Sequence, residues 1–196
     1  LIESADNLRI FNELLRRTGW DDSLKLYRDE EYEENHEEMG PDLDGNLTLK
    51  NPEHRYYGYT VFVETDSIFN TKWGVPEPNV VNGIVQNFDE IISRITERCQ
   101  AAYPLATNPD MTAKDNAVNQ FVAYHLTDQQ VAYNNLVITL AQVGTSYNTP
   151  EQLGLVKFQY YESMGKDHRI IKLTFGKSTD GYRINRYCSE YDDYNY

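Results

Sequence analysis

Apolar side chains recur at helical spacing in three stretches of the chain. Between 88 and 102, Phe88, Ile91, Ile92, Ile95, Cys99 and Ala102 fall on one stripe, with Asp89, Glu90, Arg94, Glu97 and Arg98 off it. That pattern predicts an amphipathic helix, stopped by Pro104. Residues 4–18 repeat it with Leu8, Phe11, Leu14 and Leu15; Ser4 is the expected N-cap, Asp6 sits in the first turn, and Gly19 follows Arg16 and Arg17 as a natural stop. Residues 20–27 predict a second, shorter helix with Leu24 and Tyr27 inward. A third stripe, Val118, Phe121, Val122 and His125, predicts a helix over 113–126 with Thr112 as its cap.

Strand signals are of two kinds. Residues 59–63 are β-branched or aromatic and read as a buried strand. The chain then turns at Glu64, and Thr65 or Asp66 can cap a helix that begins Ser67-Ile68-Phe69, because a short side-chain oxygen accepts from first-turn N–H groups. The last third reads as β, with strands expected at 130–140, 156–162, 169–175 and 182–187 and a hairpin turn at Asp180-Gly181. Between helix and strand patterns, residues 29–38 hold 7 acids in 10 positions. Such a run repels itself and stays solvated, so about 29–57 reads as a surface insertion.

Composition narrows the function classes. A chain of 196 residues fits one domain with its own core. A net charge of −13 repels a phosphate backbone or an anionic membrane surface, which argues against nucleic acid as a partner. No apolar run is long enough to cross a membrane. Tyrosine is abundant, 16 against 7 phenylalanines. Its large ring and polar tip suit strands and half-exposed recognition surfaces alike. Two cysteines, Cys99 and Cys188, are too few for a disulfide scaffold, and Cys99 lies on a predicted apolar stripe where a buried free thiol is common, a Cys99–Cys188 bridge being the alternative.

Several residues carry candidate chemistry. Asp42, Asp44, Asn46 and Glu53 fall at positions one, three, five and twelve of a calcium-type loop. Leu47 occupies the glycine position and no amphipathic helix flanks the segment, so an Asp-Gly turn is the simpler account and calcium the alternative. His36 and His54 bracket the acidic insertion and could complete a metal site there, although solvated loop histidines explain them more simply. His125 is the histidine placed inside; a hydrogen-bonded core histidine accounts for it more simply than a base or metal ligand. One attractive arrangement has it hydrogen-bonded near Thr65 and Asp66. There is no Gly-x-Ser-x-Gly elbow and no glycine-rich phosphate loop. A glycosidase needs only two well-spaced carboxyl groups, and the chain has 31 acids.

Thr60, Val61, Phe62, Thr65, Asp66 and Phe69 resemble the signature segment of fasciclin-like domains, roughly Thr-Val-Phe-Ala-Pro-Thr-Asp-x-Ala-Phe, with Val63 and Glu64 replacing Ala-Pro and Ile68 replacing Ala. Residues 121–126 resemble that family's Leu-Leu-x-Tyr-His-Val segment through Tyr124 and His125. Ile184 and Asn185 resemble its Gly-x-x-Ile-Asn strand, and Thr18-Gly19-Trp20 its Thr-Gly-Leu turn. The family's closing strand has no counterpart before residue 196. The resemblance implies an α+β fold: a single fasciclin-like domain over 1–196, a β-sandwich or wedge with helices packed along one edge, bearing the acidic insertion. It implies a non-enzymatic adhesion or surface-recognition module that binds a cell-surface or matrix protein or glycan, without a cofactor unless calcium. Its expected location is extracytoplasmic, at a bacterial cell surface or in the periplasm, secreted or lipid-anchored. It makes Tyr124 and His125 partner-binding candidates and the six signature residues structural. The alternatives are a carbohydrate-active enzyme with paired carboxylates and a structural spacer of a larger envelope protein.

Overall fold

The computed structural model describes residues 2–35, 54–137, 158–175 and 182–185. Asp42, Asp44, Asn46 and Glu53, together with His36, Cys188, the Asp180-Gly181 turn and the C-terminal segment, lie outside them. In chain order the elements are α1 (Arg9–Thr18), α2 (Trp20–Lys25), α3 (Glu30–Asn35), β1 (Thr60–Val61), α4 (Asp66–Trp73), β2 (Val80–Val81), β3 (Ile84–Val85), α5 (Phe88–Ala102), α6 (Ala117–Tyr124), β4 (Leu126–Thr127), a 3-10 turn (Tyr133–Asn135), β5 (Phe158–Glu162), β6 (Ile170–Phe175) and β7 (Tyr182–Ile184). The class is α+β: β1 pairs with β4, β2 with β3, and β5-β6-β7 form an antiparallel sheet.

The helices α1, α4, α5 and α6 close on one apolar cluster, in which Ile10, Phe11, Leu14, Phe69, Ile91, Ile95, Val118 and Val122 are fully buried. The middle of the α5 stripe behaves as its spacing predicts: Ile91, Ile92, Ile95 and Cys99 are buried, Phe88 is half-buried, and Ala102, at the C-terminal end, is exposed. Burying each such side chain contributes about 1.5–3 kcal/mol. A second cluster, Leu136, Val137, Tyr161, Ile171 and Leu173, lies against β5 and β6, and Phe62 and Tyr124 pack onto it from the helical side.

Helix starts differ from expectation. α1 begins at Arg9, not at residue 4; the preceding residues form turns, Ala5 N–H to Ile2 O (3.2 Å) and Leu8 N–H to Ala5 O (3.1 Å). Ser4 is therefore not the N-cap of α1. The cap comes from 56 residues away: the Asp66 carboxylate accepts from the N–H groups of Ile10 (2.9 Å) and Arg9 (3.3 Å). Thr65 precedes α4 but its side chain makes no capping bond. α6 begins at Ala117 because Asn116, not Thr112, supplies the cap, accepting from Val118 N–H (2.8 Å) and Asn119 N–H (3.1 Å). Thr112 is held instead by Asp110, through its own N–H (2.9 Å).

The strands are shorter than their sequence patterns. The expected buried strand at 59–63 reduces to β1, whose two residues are only half-buried because β4 alone flanks it. No strand starts at residue 130; a 3-10 turn occupies Tyr133–Asn135. The acidic run, expected to be merely solvated, starts with helix α3, and the β2–β3 hairpin turns on Asn82 (φ 51) and Gly83 (φ 79). Asn-Gly favours that positive-φ pair, so the hairpin signal was present in the sequence.

Candidate functional site

Three of the six expected signature residues, Thr60, Val61 and Phe62, meet the Tyr-His segment at one junction, whereas Asp66 turns to the start of α1 and Phe69 to the helical core. Val61 pairs with Leu126 and Thr60 with Thr127 across β1 and β4, and Phe62 N–H donates to His125 O at 2.9 Å. Thr60 Oγ1 donates to Gln129 O (2.6 Å) and accepts from Val131 N–H (3.0 Å). The Tyr124 hydroxyl accepts from Asn185 Nδ2 at 2.6 Å, which joins the Tyr-His pair to the end of β7. Asn185 also pairs with the backbone of Lys172, accepting from its N–H at 2.9 Å. The Tyr124 hydroxyl is thus engaged inside the molecule.

His125 reaches Glu64, one residue short of the Thr65-Asp66 pair suggested by the sequence. Its Nδ1 lies 2.8 Å from Phe121 O. A carbonyl only accepts, so Nδ1 carries hydrogen. Nε2 stands 3.7 Å from Glu64 Oε1, beyond hydrogen-bond range, and attracts that carboxylate only as an imidazolium. Glu64 Oε2 is buried and has no partner among the described residues. The ring packs edge-on against Phe121 (4.6 Å) and Phe11 (5.4 Å). Burial first, then the Glu64 charge, push the Cys99 thiol up to about 12. A thiol held protonated is a poor nucleophile, so Cys99, free and buried, is a packing residue.

A second feature was not singled out in the sequence. Side chains alternate along an extended chain, so Tyr57, Tyr59 and Val61 share a face. All three line a groove of about 480 Å³ with Tyr27, Leu15 and Leu24. The Tyr57 and Tyr59 rings are near-parallel (14°) with centroids 6.1 Å apart. Tyr27, expected inward, is 68% exposed on the rim. Gly58 permits this: a Cβ there would stand 2.7 Å from Gln130 Cβ, so a side chain would push the ladder off the 129–131 segment. The legible signal was the Tyr-Gly-Tyr-Thr-Val alternation itself.

The tyrosine ladder is anchored at its start by a clasp. Arg28 bridges Tyr56, Asp29 N–H donates to Arg55 O (2.9 Å), and Tyr57 N–H donates to Tyr27 O (3.0 Å). Asp29 is 2% exposed and ion-paired with Arg55. Its carboxyl is held below the usual carboxylate range, chiefly by the Tyr32 N–H; burial opposes this, and Arg55 and the Tyr57 hydroxyl add to the lowering. A depressed folded value means the stabilisation is complete above the ordinary value of 3.8 and is lost as pH falls through the folded one. Asp29→Asn should therefore flatten the acid limb of the stability–pH profile below about pH 4, read by denaturant unfolding. An unchanged limb would show that the clasp does not hold in solution.

His54 Nδ1 stands 3.1 Å from Glu33 Oε1 and 3.2 Å from Arg28 Nη2 at the same clasp. Among the described residues, no group of three or more His, Cys, Asp or Glu is placed to hold a metal ion, and no helix is long and apolar enough to cross a membrane. Compared with family models, curated proteins and solved structures, the chain matches none.

Proposed function

We propose that this chain is a non-enzymatic, fasciclin-like recognition module of the bacterial cell envelope that binds a protein or glycan through the tyrosine-lined groove. The observation that carries the reading is the groove: near-parallel Tyr57 and Tyr59 rings, fixed at one end by the Asp29 clasp and flanked by exposed Tyr27. Tyrosines held in place offer contact area at low entropic cost, which is how binding surfaces gain affinity without deep clefts. The fasciclin-like part is supported by the meeting of three of its motif segments, Thr60 to Phe62, Tyr124-His125 and Ile184-Asn185, at one junction. The envelope location rests on that resemblance.

The test is binding of the purified chain to arrayed glycans and matrix proteins at physiological salt. A specific hit that weakens about tenfold or more in Tyr59→Ala is expected, the loss typical of a binding hot spot. A blank array favours the spacer alternative. Release of reducing sugar from a bound glycan would overturn the non-enzymatic reading.

A further inference from the structure

We infer that the groove takes an uncharged, linear glycan, laid against the Tyr57 and Tyr59 rings and hydrogen-bonded by Asn12 and Gln130. The inference rests on the recognition reading above and adds the ligand class. Its first support is the pairing of surfaces. A pyranose presents an apolar face of C–H groups and a rim of hydroxyls; aromatic ring surface suits the first, and amide groups, which both donate and accept, suit the second. Asn12 and Gln130 line the groove, and among the described residues neither side chain has a hydrogen-bond partner. Those groups are open to ligand hydroxyls.

The second support is charge. Glu3 and Asp21 border the groove, and Lys25 on the same rim is already held by Asp22 (3.2 Å) and Asp21 (3.4 Å). On a chain of net charge −13, an anionic saccharide meets repulsion, and among the described lining residues of this groove no unpaired cation offsets it. The third is shape. A second depression of about 470 Å³, which shares Ile2, Glu3 and Asn12 with the first, runs along α1 to Phe88 and the β2–β3 hairpin; its two arginines, Arg9 and Arg16, are paired with Asp6 and Glu13. A trough extended past its tyrosines suits a chain of several residues better than a single sugar.

Isothermal titration of the full chain with chitotetraose and cellotetraose (uncharged) and tetragalacturonate (anionic) tests the inference. An uncharged oligomer should bind about tenfold or more tighter than tetragalacturonate, with affinity nearly constant between about 0.05 and 0.5 M salt. Tyr59→Ala should weaken that binding about tenfold. So should Tyr27→Ala, whose exposed position leaves the fold intact, whereas Tyr133→Ala, exposed and outside the groove lining, should not. Equal or tighter binding of tetragalacturonate would overturn the ligand class. So would failure of the uncharged oligomers while a protein hit from the array still depends on Tyr59; the recognition reading would then stand. Failure of the oligomers together with a blank array would remove both.

Discussion

Replacing Phe69 with alanine should lower the free energy of unfolding by about 3–5 kcal/mol, the range for emptying a buried aromatic site. Phe69 is fully buried in the helical core. Its ring lies 5.4 Å from Trp73 and 6.3 Å from Phe121, and Phe121 in turn packs on Trp73 (4.8 Å) and His125 (4.6 Å). Removing it leaves a cavity at the point where α4 meets α6. Domains of this size are stable by roughly 5–15 kcal/mol, so the variant should be marginal at ambient temperature. Phe69→Leu leaves a smaller void and should cost clearly less. Denaturant unfolding checks both: the midpoint should fall with the slope unchanged. A loss below about 1 kcal/mol in Phe69→Ala would mean this core is not closely packed.

Asn119→Leu should cost about 2–4 kcal/mol, although leucine is the more apolar residue. Asn119 is 3% exposed on α6. Its Oδ1 accepts from Trp20 Nε1 (3.2 Å), and its Nδ2 donates to Met111 O (2.9 Å) and Thr18 O (3.3 Å). Leucine would leave one donor and two carbonyls without those partners, and an unsatisfied buried polar group costs more than a hydrogen bond contributes. A double-mutant cycle with Trp20→Phe should return about 1 kcal/mol of coupling for the indole bond alone. Additive losses would show that Trp20 does not bond Asn119 in solution. The consequence reaches the groove: Trp20 opens α2, and Asp21, Leu24 and Lys25 of α2 line it. Loosening Asn119 should therefore weaken ligand binding from a distance, by letting α2 drift from α6.

How much of this was legible can be judged residue by residue. The α5 stripe was readable from Phe88 to Cys99, because the spacing of Phe88, Ile91, Ile92, Ile95 and Cys99 already fixes which face an α-helix must bury; Ala102, on the same stripe, is exposed where the helix ends. Gly19 was readable as the stop of α1; its φ of 73° is a backbone state that glycine adopts without cost. The tyrosine ladder was readable only as an alternation. Nothing in the sequence tells which side of a short strand faces a helix and which faces water, since both faces of β1 are half-buried.

Caps were the least readable feature. Ser4, Thr65 and Thr112 are all chemically able to cap, yet the oxygens that cap α1 and α6 belong to Asp66 and Asn116. Local sequence names every side chain able to accept from a helix end; it cannot say which distant one the fold delivers there.

The sequence by itself therefore determined the buried faces of α1, α5 and α6, the α+β class, the acidic charge and the tyrosine supply, because periodicity and composition act within a few residues of chain. Only the tertiary structure decided that Asp66 would serve α1 rather than α4, that His125 would face Glu64, and that Tyr27, Tyr57 and Tyr59 would line one groove. Each of those depends on packing elements about 30 to 60 residues apart, and a chain can close many such loops at nearly equal entropic cost. The choice among them is made by which closure buries the core while leaving the fewest polar groups unpaired.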